Sequence, residues 1–332
     1  MIARADKGNS IVILSTLHYE NKIAKFLSDN NFHTVATDPM NTFQTQVRNT
    51  VKQSKTSIPK DSRWKYINMN PSAPSIKGFI KIHKQEQPIR PVVKWRNAPA
   101  YQLSKLFTKK LNHLLPLHHA FNIKNTHDLI RNLNDTQLLP HYTLASLHIT
   151  NLYSNIPVTD TKVILANVLN HKLVDPQTQQ EILRWYDIIT KQNYFSHNKN
   201  IIIQQDSLAM GAPSSGLIAG IFLQHLEHLH LTHLVHKHHI INYCRYADDI
   251  FLIFDPNNTS IQHILKDFNA LHPNLQFTVE TEQDHTLNYL DITIRRAPNK
   301  LQNGHIQETR FHQHHHTILL RHTLLSDSCS ID

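Results

Sequence analysis

Glycine is scarce in this chain, at 6 of 332 residues, about 2% where ~7% is usual. No G-x-G-x-x-G and no G-x-x-x-x-G-K-[ST] loop is present, which disfavours dinucleotide or phosphate binding by a glycine-rich loop. Cysteine is almost absent. Cys244 and Cys329 are the two copies, which excludes a disulfide scaffold and a cysteine zinc site and fits a reducing interior. Long apolar runs are missing too. The longest stretch free of charged and strongly polar residues, Leu217 to Leu223, is too short to span a bilayer. The start, Met1 to Lys7, has no apolar signal-peptide core. An intracellular protein of nucleus or cytoplasm is expected, neither secreted nor in a membrane.

What is present is an ordinary globular composition with a basic bias. Apolar residues make up 40% and charged residues 18%, and 34 Lys and Arg against 25 Asp and Glu leave a charge of +9. The length suits about two domains or one multi-part enzyme core. Histidine is abundant, with 27 copies, so the positive field grows steeply below pH ~6.5. A polyanion, most simply nucleic acid, is the partner such a surface attracts.

Residues 1–75 read as mostly helical, with an N-cap at Asp38 and a proline opening the next turn. Phe79 to Lys84 alternates apolar with basic or polar residues, turns at Gln85 to Pro88 and continues as Ile89-Arg90-Pro91-Val92-Val93, which predicts a basic hairpin. Tyr101 to Leu115 carries one apolar stripe and predicts a helix. Thr143 to Thr150, Ile240 to Phe254, Leu275 to Val279 and Leu290 to Ile294 predict strands. Helices are expected after Asp175, Gly216 and Ser260. Strands and helices interleave without strict alternation, so the fold class is α+β with an antiparallel sheet and helices on one face.

The sharpest segment is Tyr246-Ala247-Asp248-Asp249, followed by the apolar Ile250 to Phe254. Two carboxylates forced together at a hairpin tip repel unless a cation joins them. A hard divalent ion does this well, because Mg²⁺ takes carboxylates together with substrate phosphates. Three glycines within ten residues, Gly211, Gly216 and Gly220, mark a second stretch that needs close backbone approach.

Tyr246-Ala247-Asp248-Asp249 resembles the metal-binding hairpin of reverse transcriptases. Three further segments resemble the same family in the right order. Leu147 to Pro157 resembles the first catalytic strand, Ala209 to Ala219 the template- and nucleotide-positioning loop and helix, and Lys81 to Lys84 with Pro88 to Pro91 the fingers. The form Leu152-Tyr153-Ser154-Asn155-Ile156-Pro157, with Ala5-Asp6-Lys7-Gly8-Asn9 and Leu290-Asp291-Ile292-Thr293, points to the Penelope-like retroelement branch.

The resemblance implies a right-hand polymerase: a helical N-terminal region over 1–75, fingers over 76–142, a palm over 143–296, and an irregular tail over 297–332 with the thumb absent or truncated. It implies RNA-directed DNA polymerisation by two-metal nucleotidyl transfer. The cofactor would be Mg²⁺ or Mn²⁺, and the partners an RNA template, a DNA primer and deoxynucleoside triphosphates. Asp248 and Asp249 are then the metal ligands. Tyr153 takes the place of the sugar-sensing gate. Arg90, Lys81 and Lys84 face phosphates, and Gly211, Pro213 and Ser214 let substrate pass the backbone.

One position departs from the pattern. The register set by Leu152 to Pro157 places the first catalytic aspartate at 148, where this chain has His148. Imidazole cannot bridge two ions as a carboxylate does, and it suits zinc or copper better than magnesium. Three readings stay open: an RNA-directed DNA polymerase core of a retroelement; a catalytically dead polymerase fold that only binds nucleic acid, separated from the first by His148; and an unrelated α+β binding protein with a coincidental Asp-Asp turn. The family continues with a thumb and often an endonuclease that residues 307–332 do not resemble, so a fragment or a decayed, frameshifted element is expected. The histidines between Leu226 and His239 form no His-Glu-x-x-His and read as a solvated face.

Overall fold

The computed structural model describes residues 1–6, 10–82, 86–115, 121–134, 136–297, 300–305 and 318–320. Two sheets organise it. The first has four antiparallel strands in the order Phe277–Thr281, Thr143–Ile149, Asp249–Phe254, Ile240–Tyr246. The second has five, in the order His33–Val35, Asn200–Ile203, Tyr194–His197, Ser75–Ile80, Ile89–Lys94. Its one parallel junction joins Ser75–Ile80 to Tyr194–His197.

Local chemistry starts the helices where the sequence signals them. The Ser15 side chain accepts from His18 N to open Thr16–Asp29, and Asp175 accepts from Thr178 N just before Pro176, opening Pro176–Thr190. Ser260 caps Ile261–Asn269 through His263 N. Each such cap satisfies a backbone N–H that has no partner within the helix. Tyr101–Leu114 buries Leu103, Phe107 and Leu111 on one stripe. The long helix Ser215–Lys237 begins with small residues and buries Ile218, Ile221 and Phe222. Helix Val158–His171 packs against it.

The core sits on both faces of the four-stranded sheet. Ala145, Leu147, Ile149, Ile250, Leu252 and Phe254 join the main core with the helices 101–114, 158–171, 176–190 and 215–237. Leu144, Cys244, Phe251 and Ile253 face the other way, into a cluster with Leu129, Leu133, Leu287, Tyr289, Ile292 and Ile294. Helices on one face alone is therefore corrected: helix Thr126–Asn134 covers part of the second face. The cause is the unbroken run Ile250 to Phe254, buried throughout. A strand that is apolar on both sides needs cover on both sides.

Three other expectations change. Residues 1–75 hold the helices Thr16–Asp29 and Met40–Gln53, but also the short strands Ile2–Arg4, Ile11–Ile13 and His33–Val35. The segment around Leu290 to Ile294 does not extend the four-stranded sheet. Thr286–Tyr289 and Ile292–Ala297 pair with each other and with Lys300–His305 in a separate three-stranded sheet. The reversal comes at Leu290, whose φ of 55° interrupts the apparent alternation. The stretch expected to be irregular, 297–332, contributes Lys300–His305 and also Ile318–Leu320, which pairs with Ile11–Ile13. Among the described residues no helix is long and apolar enough to cross a membrane.

Candidate nucleic-acid site

Strand Thr143–Ile149 lies between Asp249–Phe254 and Phe277–Thr281, so whatever its C-terminal end carries faces the tip of the neighbouring hairpin. That hairpin reverses over two residues, because Tyr246 and Asp249 are paired across it. Ala247 takes the turn with φ 53°, a left-handed conformation usually left to glycine or asparagine. The turn pushes Asp248 and Asp249 out of an otherwise buried sheet. Register then pairs Asp249 with His148.

The three side chains meet. His148 Nδ1 lies 2.7 Å from Asp249 Oδ1 and 3.8 Å from Asp248 Oδ2. A carboxylate only accepts, so the imidazole N–H donates. The hydrogen bond to Asp249 is the main reason the His148 pKa is raised above its ordinary value; burial and Lys81 oppose it, and the charges of Asp248 and Asp249 add to it. Asp248 is raised by burial first and then by Asp249, while His148 and Arg90 pull it back. Lys81 and Arg90 thus lie close enough to act on the acidic cluster, although they sit at opposite ends of the turn joining Ser75–Ile80 to Ile89–Lys94. Arg90 is more than half exposed, and its Nη1 meets Asp6 Oδ1 at 3.0 Å. Lys84 lies outside the described residues.

Tyr153 sits on the short helix Leu152–Asn155, right after Asn151 with its φ of 49°. Burial, and then the charge of Asp248, raises its hydroxyl pKa. A Cβ on Gly216 would lie 3.8 Å from that hydroxyl. Gly211, with φ +85°, is pressed against strand Ile89–Lys94; a Cβ there would sit 2.3 Å from the Val93 carbonyl oxygen. Pro213 is half-buried. Ser214 is fully buried, and its hydroxyl and backbone N–H are both bonded to the Ser104 hydroxyl, at 2.8 and 3.1 Å. Ser214 thus ties the loop to helix Tyr101–Leu114.

No family model and no curated protein matches the sequence. Solved structures do match in fold. Telomerase from Candida albicans, in complex with a TWJ fragment of telomeric RNA, superposes with a TM-score of 0.60 at 10% identity, over 92% of this chain and 55% of that one. Apo telomerase from Candida tropicalis, truncated from its C-terminal domain, gives 0.56 at 11% identity, over 91% and 63%. The fold is reverse-transcriptase-like. The chain spans between half and two thirds of the length of these telomerases.

The family of this fold implies metal ions, and the residues here do not fit two of them. One oxygen of Asp249 already accepts a hydrogen bond from His148. The chain has the imidazole of His148 at the position to which the resemblance would assign a third carboxylate, and among the described residues no group of three or more His, Cys, Asp or Glu is arranged to hold a metal ion. Asp248 and Asp249 both lie on the hairpin, and the strand facing it supplies an imidazole rather than a carboxylate to share a pair of ions. What the arrangement offers instead is a carboxylate pair partly neutralised by imidazole, with cations from the basic hairpin nearby.

Residues that sequence reasoning passed over support the hairpin from below. Arg245 is buried, and its Nε and Nη2 donate to Glu227 Oε1 and Oε2 at 2.6 and 2.9 Å. Its Nη1 donates to the Ala247 carbonyl at 3.2 Å, bracing the strained turn. The Tyr243 hydroxyl also donates to Glu227, at 2.9 Å, and the Tyr289 hydroxyl holds the Asp249 carbonyl at 2.9 Å. The available signal was the period of two, which places Arg245 on the same face as Tyr243.

Proposed function

We propose that this chain is the reverse transcriptase core of a retroelement, of the Penelope-like branch, that retains its primer–template site and has lost two-metal nucleotidyl transfer. The observation that carries the loss is the 2.7 Å hydrogen bond from His148 to Asp249. It stands at the position that the resemblance assigns to a bridging aspartate. In this reading the four-stranded sheet is the palm, with Asp248 and Asp249 at its reactive edge. The hairpin with Lys81 and Arg90 belongs to the fingers and meets triphosphate or template phosphates. Tyr153 borders the sugar of the incoming nucleotide.

The RNA template is supported by the fold shared with a telomerase in complex with an RNA fragment and by the charge of +9. The four ordered motifs support the retroelement branch. Without a third carboxylate, the chain's own groups can attract and orient phosphates but cannot hold the metal pair on which such polymerases depend.

Primer extension on poly(rA)/oligo(dT) tests the reading. The natural chain should extend weakly or not at all with Mg²⁺, and His148→Asp should gain extension that His148→Asp with Asp248→Asn loses again. Strong Mg²⁺-dependent extension by the natural chain would show that another group does the bridging. Salt-sensitive primer–template binding with no extension by either form would favour a fold that only binds nucleic acid.

A further inference from the structure

The sequence has three tryptophans. Trp95 and Trp185 are buried, whereas Trp64 is 63% exposed. Trp64 sits on the 3₁₀ helix Lys60–Tyr66, and Met69 just beyond it is 70% exposed. A large aromatic ring left in water carries a cost of tens of calories per Å² of apolar area. The ring also has a cation beside it, with Lys65 Nζ lying 5.8 Å from its centroid.

The surroundings are strongly one-sided in charge. Between residues 52 and 69 there are five cations and one acid, Asp61; between residues 94 and 110 there are five cations and no acid. The two stretches form one surface. Helix Tyr101–Leu114 packs against the 3₁₀ helix, and the Asn68 side chain donates to the carbonyls of Asn97 and Ala98 at 2.9 and 3.3 Å. Lys105 Nζ lies 5.9 Å from the Tyr101 ring, a second cation–aromatic pair on the neighbouring element. Among the described residues, Lys60, Arg63, Lys65, Arg96 and Lys105 make no ion pair, in contrast to the buried and fully paired Arg245.

We propose that Trp64, with Lys65 beside its ring and Arg63 and Arg96 on the two joined segments, is a stacking platform for an unpaired base of single-stranded nucleic acid. Exposed rings interleaved with free cations are what such strands require: the ring takes a base face and the cations take the phosphates. In a duplex both faces of a base are already stacked, so the occupant is an unpaired segment. Charge favours this over a protein partner, since a protein would need a matching acidic patch as well as an apolar contact. The platform connects to the candidate site. Strand Ile89–Lys94 runs from Arg90 to the exposed Lys94, with the exposed Arg96 two residues on, and the four residue steps from Arg90 to Lys94 span about 13 Å. The proposal rests on the nucleic-acid reading given above and adds a second contact, for the strand outside the primer–template duplex.

The test uses the full chain with a fluorescein-labelled 20-nucleotide RNA, and with a blunt duplex of the same length. Binding is read by anisotropy, and tryptophan emission is read on the same system with unlabelled RNA. Because the other two tryptophans are buried, the red edge of the emission reports Trp64. Single-stranded RNA should quench it. Trp64→Ala should weaken single-strand binding roughly five- to a hundredfold, the range of one lost base stack. Trp64→Phe should restore most of the affinity, and the blunt duplex should bind natural chain and variant alike. Salt-sensitive binding that is equal in the natural chain and Trp64→Ala, with unchanged emission, would overturn the platform while leaving the nucleic-acid reading intact. No salt-sensitive binding to either probe would overturn both. An equal loss for duplex and single strand would identify Trp64 as a structural residue and refute the proposal.

Discussion

Replacing Glu227 with glutamine should destabilise the protein far more than a surface charge change would. Glu227 and Arg245 are a buried, two-pronged ion pair, with side chains 10% and 4% exposed and contacts of 2.6 and 2.9 Å. Glutamine keeps the volume and one acceptor but removes the charge, leaving a guanidinium in a mainly apolar setting beside Leu226, Tyr243 and Phe268. Breaking such a pair from one side typically costs ~3–5 kcal/mol. That is a large share of a typical total stability of ~5–15 kcal/mol. Arg245→Met should cost a similar amount, since it leaves the buried Glu227 carboxylate without its cation and with only the Tyr243 hydroxyl donating to it. The triple change Glu227→Leu, Arg245→Met, Tyr243→Phe removes every group at once, and should recover most of the loss because no charge or donor is left unpaired. Urea denaturation of the four chains reads this out. A loss below ~1 kcal/mol in Glu227→Gln would mean that water reaches the pair, as at an exposed salt bridge, and would refute the reasoning. A triple variant no better than the single ones would refute it too.

Four other outcomes follow from the same structure. Arg90→Ala with Lys81→Ala should lower primer–template affinity and flatten its salt dependence, because fewer counterions are released; filter binding across a salt series checks this. Gly211→Ala should lower the melting temperature, since φ +85° alone costs ~1–2 kcal/mol for an L-residue and the added Cβ would sit 2.3 Å from the Val93 oxygen. By contrast, Gly220→Ala, in a helix with nothing within 4 Å of the new Cβ, should stabilise by up to ~1 kcal/mol. Asp267 is held below the usual carboxylate range, first by the hydrogen bond from Lys237 and then by His238. A depressed folded-state value stabilises above the unfolded pKa of ~3.9, and that contribution is lost as pH falls through the folded value. Asp267→Asn should therefore flatten the acid limb of a stability–pH curve.

Much of the site could be read from the chain. The alternation around His148, the turn at Ala247-Asp248 and the apolar run after it are local signals for a strand and a hairpin, whereas the placing of residue 148 beside Asp249 followed from the resemblance alone and is visible in the sheet register. The basic hairpin followed from its own alternation. What stayed hidden depends on contacts remote in sequence. Asp6 meets Arg90 across more than eighty residues, and Ser214 is taken up by Ser104 at a separation of 110. Neither has a local pattern that marks it. The separate sheet of Thr286–Tyr289 and Ile292–Ala297 was hidden for another reason: strand period shows which side chains share a face but not which strand is the neighbour.

The central claim is that His148 occupies the place of a metal-bridging carboxylate. The direct measurement is a Mn²⁺ titration, followed by electron paramagnetic resonance in the presence of a deoxynucleoside triphosphate, of the natural chain and of His148→Asp. Metal binding does not depend on turnover, so it reads the site alone. The account predicts that the aspartate variant binds Mn²⁺ tighter by roughly tenfold or more, and that adding Asp248→Asn abolishes the gain. Equal affinity in the natural chain and the aspartate variant would remove position 148 from the metal site and contradict the account.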